Sequence, residues 1–275
     1  MSRTISVGSA RLAVDELGNG PLVVFLHAGV ADRRSWAAQL TCLACTHHCI
    51  AYDRRGFGST TCDPAAPFSH VDDLRAVIGD EPAILVGNSQ GGRIAIDFAL
   101  VEPELVAGLV LAGSAVSGWN VDHQRDLTTA ERALVEAIDD AERAGDLERV
   151  NALEAQLWLD GPQRVAGRVD TPIRELFSAM NGTILRAPPL IAERAPASAV
   201  EQLHRIAAPT LVIDGDLDLE YIRMRGAHLA ATIPGARHET VAGAAHLMAM
   251  EAPDRFNHLL LDFLEGREPL NRSGV

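Results

Sequence analysis

Five continuous apolar runs punctuate the chain: Leu22–Leu26, Cys49–Tyr52, Ala83–Val86, Leu109–Ala112 and Thr210–Ile213. Short apolar runs without alternation, bounded by turn residues, suit strands buried on both faces of a parallel sheet. Ahead of them, Arg3–Val7 and Arg11–Leu17 read as two further strands, closed by a Gly18-Asn19-Gly20-Pro21 turn. The pattern changes period between the runs. Gly92–Leu100 keeps small residues on one side, and Asp254–Leu264 sets Phe256, Leu260 and Phe263 at helical spacing. Strand alternating with helix predicts a single α/β sheet joined by right-handed crossovers.

That alternation stops between residues 116 and 205, where no convincing strand occurs. Thr128-Thr129-Ala130-Glu131 carries the pattern of a capping box, with Leu134, Ile138 and Ala141 following on one face. A second helix is expected from about Asp146 to Trp158, ending at Gly161-Pro162, and a third from Thr171-Pro172. The reading is a core of residues 1–115 and 206–275 with a helical lid, 116–205, inserted between two strands. A merely structural side layer is the alternative. Trp119, Trp158, Phe177 and Met180 stand either in a pocket or in the core of that insertion.

The chemistry begins at Ile84-Leu85-Val86-Gly87-Asn88-Ser89-Gln90-Gly91-Gly92-Arg93. A buried strand runs through Gly-x-Ser-x-Gly into a helix, the setting that gives this motif its meaning. The sharp turn strains the serine backbone, so Gly87 and Gly91 must lack side chains that would clash. A serine hydroxyl needs a base. Of ten histidines, His246 follows a short strand and precedes the last helix, a loop able to reach over the sheet edge. His228, His238 and His258 read as solvated side chains on helical or turn surfaces.

The base in turn needs a carboxylate to fix its tautomer. Asp214, Asp216 and Asp218 end a strand together. Asp218 lies far enough into the loop to turn towards a histidine, and Asp216 is the alternative. A calcium loop fails here, because Leu219 stands where glycine is needed and Arg225 where glutamate is needed.

The order Ser89, Asp218, His246 resembles that of the α/β-hydrolase family, and the likeness spans nearly the whole chain. Phe25-Leu26-His27-Ala28-Gly29, with Trp36 beyond, is similar to that family's oxyanion loop, except that alanine replaces the usual second glycine. Asp53-Arg54-Arg55-Gly56-Phe57-Gly58-Ser59 resembles its Asp-x-Arg-Gly-x-Gly-x-Ser turn, a structural brace. Gly243-Ala244-Ala245-His246, followed by Glu251-Ala252-Pro253, resembles the histidine segment.

The resemblance implies an α/β-hydrolase fold, with a mostly parallel sheet flanked by helices. It further implies a Ser89–His246–Asp218 triad and oxyanion amides on Gln90 and on Gly29, or on its neighbour Ala28. The implied reaction is hydrolysis of a small-molecule ester, lactone or thioester through an acyl-enzyme, with no metal and no organic cofactor. Serine at the elbow argues against branches that use aspartate there. Three rivals stay open: a carbon–carbon bond hydrolase or an enol-lactonase, the latter because Gly-Asn-Ser-Gln-Gly-Gly-Arg is similar to enol-lactonase elbows; a cofactor-free oxygenase or perhydrolase; and a non-catalytic small-molecule receptor.

Composition narrows partners more than chemistry. The net charge of −13 over 275 residues argues against nucleic acid as a partner. Every basic residue is arginine, which removes any Schiff-base lysine mechanism. Cys42, Cys45, His47, His48 and Cys49 have the makings of a zinc cluster. A strand at Cys49–Tyr52 would point neighbours to opposite faces, so packed free thiols, Cys62 included, are expected instead. No apolar run approaches a membrane span, and the N-terminus reads as strand rather than signal peptide, so a cytoplasmic protein without membrane association is expected.

Overall fold

A computed structural model describes residues 2–119, 127–191, 193–194 and 196–266. Residues 120–126, 192 and 195 of the expected insertion, and 267–275 of the expected core, lie outside the described residues. The strands are β1 (Ser2–Val7), β2 (Ala10–Leu17), β3 (Leu22–Leu26), β4 (His48–Tyr52), β5 (Ala83–Asn88), β6 (Val106–Ala112), β7 (Thr210–Gly215) and β8 (Arg237–Val241). The helices are α1 (Ala37–Leu43), α2 (His70–Ile78), α3 (Gln90–Val101), α4 (Thr129–Ala144), α5 (Leu147–Ala155), α6 (Thr171–Ile184), α7 (Glu220–Thr232), α8 (Met248–Glu251) and α9 (Pro253–Leu264).

The strands form one eight-stranded sheet in the order β1-β2-β4-β3-β5-β6-β7-β8. β1 and β2 pair antiparallel, as do β2 and β4, and the other pairs are parallel. Each apolar run identified in the sequence lies inside a strand. The run is continuous because both faces are covered, while the pleat still sends alternate residues to opposite sides. Leu22, Val24 and Leu26 join Leu85, Leu109 and Leu111 on one face, against Leu74 of α2 and Phe98 of α3. Val23 and Phe25 join Val86, Val110 and Ile213 on the other, against Leu40 of α1 and Phe256 of α9. Full burial of each such side chain stabilises the fold by about 1.5–3 kcal/mol.

Register then gathers the strand ends. Leu26 pairs with Gly87, Asn88 with Ala112, Ala112 with Ile213, and Gly215 with Val241. The loops after β3, β5, β6, β7 and β8 therefore leave one edge. Because β4 and β5 lie on opposite sides of β3, the chain reverses direction there. Such a switch point opens a crevice beyond the carboxyl ends of the strands.

α4 to α6 occupy the gap between β6 and β7. α4 starts at the expected capping box, with Thr128 Oγ1 accepting from Glu131 N at 3.3 Å and Glu131 Oε2 accepting from Thr128 N at 2.7 Å. The helix expected to reach Trp158 instead loosens into a π-helical turn over Gln156–Asp160, a form often found beside functional sites. Leu159, Val169, Phe177 and Met180 pack against Ala28 and Ala31 of the loop after β3 and Leu247 of the loop after β8. The helical segment thus sits over the carboxyl edge of the sheet.

Below that edge, the Asp53–Ser59 turn is a brace, as its resemblance implied. Asp53 accepts from Arg33 N at 2.8 Å and Ser59 N at 2.7 Å, and pairs with the Arg33 guanidinium. Arg55 makes two 2.8 Å bonds to the Asp73 carboxylate of α2, and a third to Val7 O. Both side chains of the Arg55–Asp73 pair are almost wholly buried. Asp73→Asn would strand a buried guanidinium, which costs about 3–5 kcal/mol. Denaturant unfolding should show that loss without a change in fold; a loss below 1 kcal/mol would mean that Arg55 finds another partner.

Candidate active site

Ser89 takes φ 54° and ψ −115°, and it is the only non-glycine residue at positive φ among the described residues. Two contacts hold it there: Ser89 N donates to Ala112 O at 2.9 Å, and Ser89 O accepts from Ala115 N at 3.0 Å. The glycines around it are required by space. A Cβ on Gly91 would stand 2.1 Å from Leu26 O, and one on Gly87 2.5 Å from Gly92 N. The elbow read from Gly-x-Ser-x-Gly is therefore present in its strained form.

His246 and Asp218 meet at the same edge. His246 Nδ1 lies 2.7 Å from Asp218 Oδ2, and Leu219 N donates to Asp218 Oδ1 at 2.8 Å. Both side chains are sealed from solvent. Gly113, at φ +50°, leaves room for the imidazole, since a Cβ there would come within 3.1 Å of the ring. Asp216 is exposed and accepts from Gly243 N at 2.6 Å, so it braces the loop rather than the histidine.

The histidine loop is tied on both sides. Glu251 accepts from Ala245 N at 2.8 Å and Leu247 N at 3.0 Å, and it pairs with Arg168. Burial pushes the Glu251 carboxyl up to about 7, against the pull of those donors. His246 N donates to Trp158 O at 3.2 Å, and the Trp158 ring lies 4.9 Å from the imidazole. Asn88 Nδ2 donates to both Ala112 O at 2.9 Å and His246 O at 3.2 Å, linking the elbow to the histidine.

Ser89, Gln90, Gly29 and His246 all line one cavity of 370 Å³. The peptide between Ala28 and Gly29 has a defined direction. His27 Nδ1 lies 2.8 Å from Ala28 O, and Arg54 Nη2 donates to the same oxygen at 3.1 Å. No cis peptide occurs among the described residues. A trans peptide points its C=O and N–H apart, so the Gly29 N–H faces away from Arg54. His27 Nε2 accepts from Arg54 N at 3.1 Å, which fixes the neutral Nδ1–H tautomer.

Residues 23–259 match the Alpha/beta hydrolase family. The chain belongs to that family. A monoacylglycerol lipase, abhd6-B of Xenopus laevis, is 26% identical over 90% of this chain and 76% of its own. A 2-hydroxy-6-oxo-6-(2'-aminophenyl)hexa-2,4-dienoic acid hydrolase of Metapseudomonas resinovorans is 26% identical over 100% of this chain and 94% of its own. The solved structure of esterase RhEst1 from Rhodococcus superposes with a TM-score of 0.76 at 24% identity, covering 97% of this chain and 99% of that one.

Within this family fold, several sequence readings need correcting. His238 is exposed, as expected, but lies in a strand rather than a helix or turn. It stands in β8 with Nε2 2.6 Å from Asp214 Oδ2, and that carboxylate raises the imidazole above its ordinary range. The strand pairing that brings β8 beside β7 was not visible locally. Trp119 and Trp158 line the cavity, whereas Phe177 and Met180 are core. Asn88, Ser114 and Arg225 also belong to the site region, and of these only Asn88, a polar residue ending an apolar strand, left a trace in the sequence. Cys49 is packed in the core and Cys45 is exposed; no metal-binding group of three or more side chains occurs among the described residues. No described helix is long and apolar enough to cross a membrane.

Two buried imidazoles beneath the site set an acid limit. Burial first, and the Arg54 guanidinium second, hold His27 and His70 well below their ordinary 6.5. His70 Nδ1 has no hydrogen-bond partner. The unfolded chain protonates these rings near pH 6.5 and the folded chain only lower, so stability falls as pH falls below 6.5. Each ring contributes a slope of about 1.4 kcal/mol per pH unit. The stability difference between wild type and His70→Gln should therefore shrink by that slope between pH 6.5 and 5 in urea titrations. A difference independent of pH would mean His70 is protonated in the folded state.

Proposed function

We propose that this chain is a serine hydrolase cleaving an ester, lactone or thioester of a small organic molecule. One juxtaposition carries the reading: the strained Ser89 and His246, the latter paired with the buried Asp218, line the same cavity. Ser89 Oγ attacks the acyl carbon as His246 takes its proton, and the tetrahedral oxyanion sits against the Gly29 and Gln90 amides. His246 returns the proton to the departing oxygen or sulfur, leaving an acyl-enzyme. Water, deprotonated by the same imidazole, then releases the acid and restores Ser89. Asp218 orients the ring and stabilises the imidazolium.

A carbon–carbon bond hydrolase built on the same three residues is the second reading, favoured by the full-length likeness to the dienoic acid hydrolase. The helical segment 116–205 serves as the lid of either enzyme, placing Trp119 and Trp158 in the cavity wall.

A fluorophosphonate probe should label wild type and not Ser89→Ala, and turnover of p-nitrophenyl acetate should fall by several orders of magnitude in that variant. Asp218→Asn should lower kcat on the order of 10⁴-fold by misplacing the tautomer, and Asp216→Asn by less than about tenfold. Labelling that survives in Ser89→Ala, or the reverse order of the two aspartates, would overturn the assignment. An unreactive wild type would favour a receptor of this fold.

Hydrogen exchange tests the lid. Amides in 129–155 should open faster than those of β5 and β6, and gain protection when a covalent serine inhibitor is bound. Gln156–Val169 should exchange more slowly than α4, because Trp158 O and Arg168 fasten it to the histidine loop. Exchange at sheet rates throughout, unmoved by inhibitor, would make the segment a fixed layer.

A further inference from the structure

Arg225 is a buried cation with no obvious reason to be one. It projects from α7 into the wall of the cavity, and it is 7% exposed. Its Nε donates to Ser114 O at 2.6 Å. The next amide, Ala115 N, donates to Ser89 O at 3.0 Å, so a single peptide separates the guanidinium from the elbow. Among the described residues no carboxylate lies within ion-pairing distance of Arg225, and its two Nη nitrogens have no acceptor. The nearest acids are engaged elsewhere: Asp218 with His246 and Leu219 N, and Asp214 with His238. Both lend a favourable field without occupying the fork. Tyr221 adds only its ring, 5.8 Å from the guanidinium carbon.

Arg93, the other arginine in the cavity wall, is already matched. Its guanidinium bonds to Gln90 Oε1 and Glu193 Oε1, each at 3.0 Å, and stands 3.6 Å from Asp97. Among the described residues no acidic side chain lines the cavity, although the chain as a whole carries −13. A buried charge without a partner is expensive to maintain, and an arginine with Nε fixed presents its two Nη groups as a planar fork. A carboxylate fits such a fork with two parallel hydrogen bonds. We propose that Arg225 binds a carboxylate of the substrate, so that the ester, lactone or thioester cleaved at Ser89 carries a free carboxylate on a short apolar chain. This rests on the serine-hydrolase reading above. The chain would lie against Val116, Trp158 and Ile222 of the cavity wall.

Two matched esters test it: mono-p-nitrophenyl glutarate, which ends in a carboxylate, and p-nitrophenyl pentanoate, which ends in a methyl. Wild type should favour the glutarate in kcat/KM. In Arg225→Gln that charged-to-neutral ratio should fall about 10- to 100-fold, the worth of hydrogen bonds to a charged group. Arg225→Lys should retain an intermediate ratio, and it carries the test if the glutamine variant does not fold. A brace acting only through Ser114 O would slow both esters alike and leave the ratio unchanged, which overturns the proposal. Glutarate binding to Ser89→Ala, by calorimetry, separates the two levels of the argument. If wild type cleaves neither ester and resists the fluorophosphonate, the hydrolase reading fails. Glutarate bound by Ser89→Ala and lost in Ser89→Ala/Arg225→Gln would still uphold the carboxylate site. No binding in either would overturn it.

Discussion

Ser89 can hold φ 54° only because the backbone around it is packed closer than side chains allow. Gly91 lies against Leu26 O, Gly87 against Gly92, and Gly92 against Ser114 Oγ, where an added Cβ would stand at 2.2 Å. A residue in so sparse a region costs about 1–3 kcal/mol, and the two bonds to β6 and the loop after it offset that strain. Much else follows from this one close approach. It sets the angle at which α3 leaves β5, brings the Gln90 amide to the helix start, and leaves a crevice where β3 and β5 diverge. The Gly29 loop occupies the far side of that crevice, turned by Arg54 and His27.

The second half of the site depends on a different restraint. Nothing in β8 itself points His246 at Asp218. The loop is held by Glu251 from beneath, by Asn88 from the elbow, and by Trp158 O from the helical segment above. The covering helices are therefore fastened to the imidazole at one end, through the π-helical turn and Arg168. This ties the segment to the position of the His246 ring. The α4–α5 end shares no such bond and rests on an apolar cluster with Leu219 and Ile222.

Charge is distributed against the average. The chain carries a net charge of −13, while the cavity wall presents two arginines and, among the described residues, no carboxylate. Arg93 is neutralised locally and Arg225 is not. Beneath the site, Arg54 is buried with its charge spread over the Phe57 ring, 4.2 Å away, and over Ala28 O. Burial lowers it to about 10 and keeps His27 neutral. The positive charge at the cavity wall thus comes from arginines placed by packing.

The sequence by itself determined the layered α/β architecture, because continuous apolar runs of strand length bury on both faces and their spacing leaves room for one helix between them. It also determined the elbow. Gly-x-Ser-x-Gly between a strand and a helix is a local steric solution, complete within ten residues. Asp218 was separable from Asp216 only by its distance into the loop, a weak signal; the structure sets Asp218, and not Asp216, 2.7 Å from His246. The direction of the Ala28–Gly29 peptide could not be read at all, because it is set by Arg54, 26 residues from Ala28. The pairing of His238 and the placing of Arg225 were unseen for the same reason. Their partners, Asp214 and Ser114 O, arrive through strand order and the path of α7, which no local period encodes. Local patterns fix backbone shape and burial; which polar groups then meet across the carboxyl edge is decided only when register and crossover place five loops side by side.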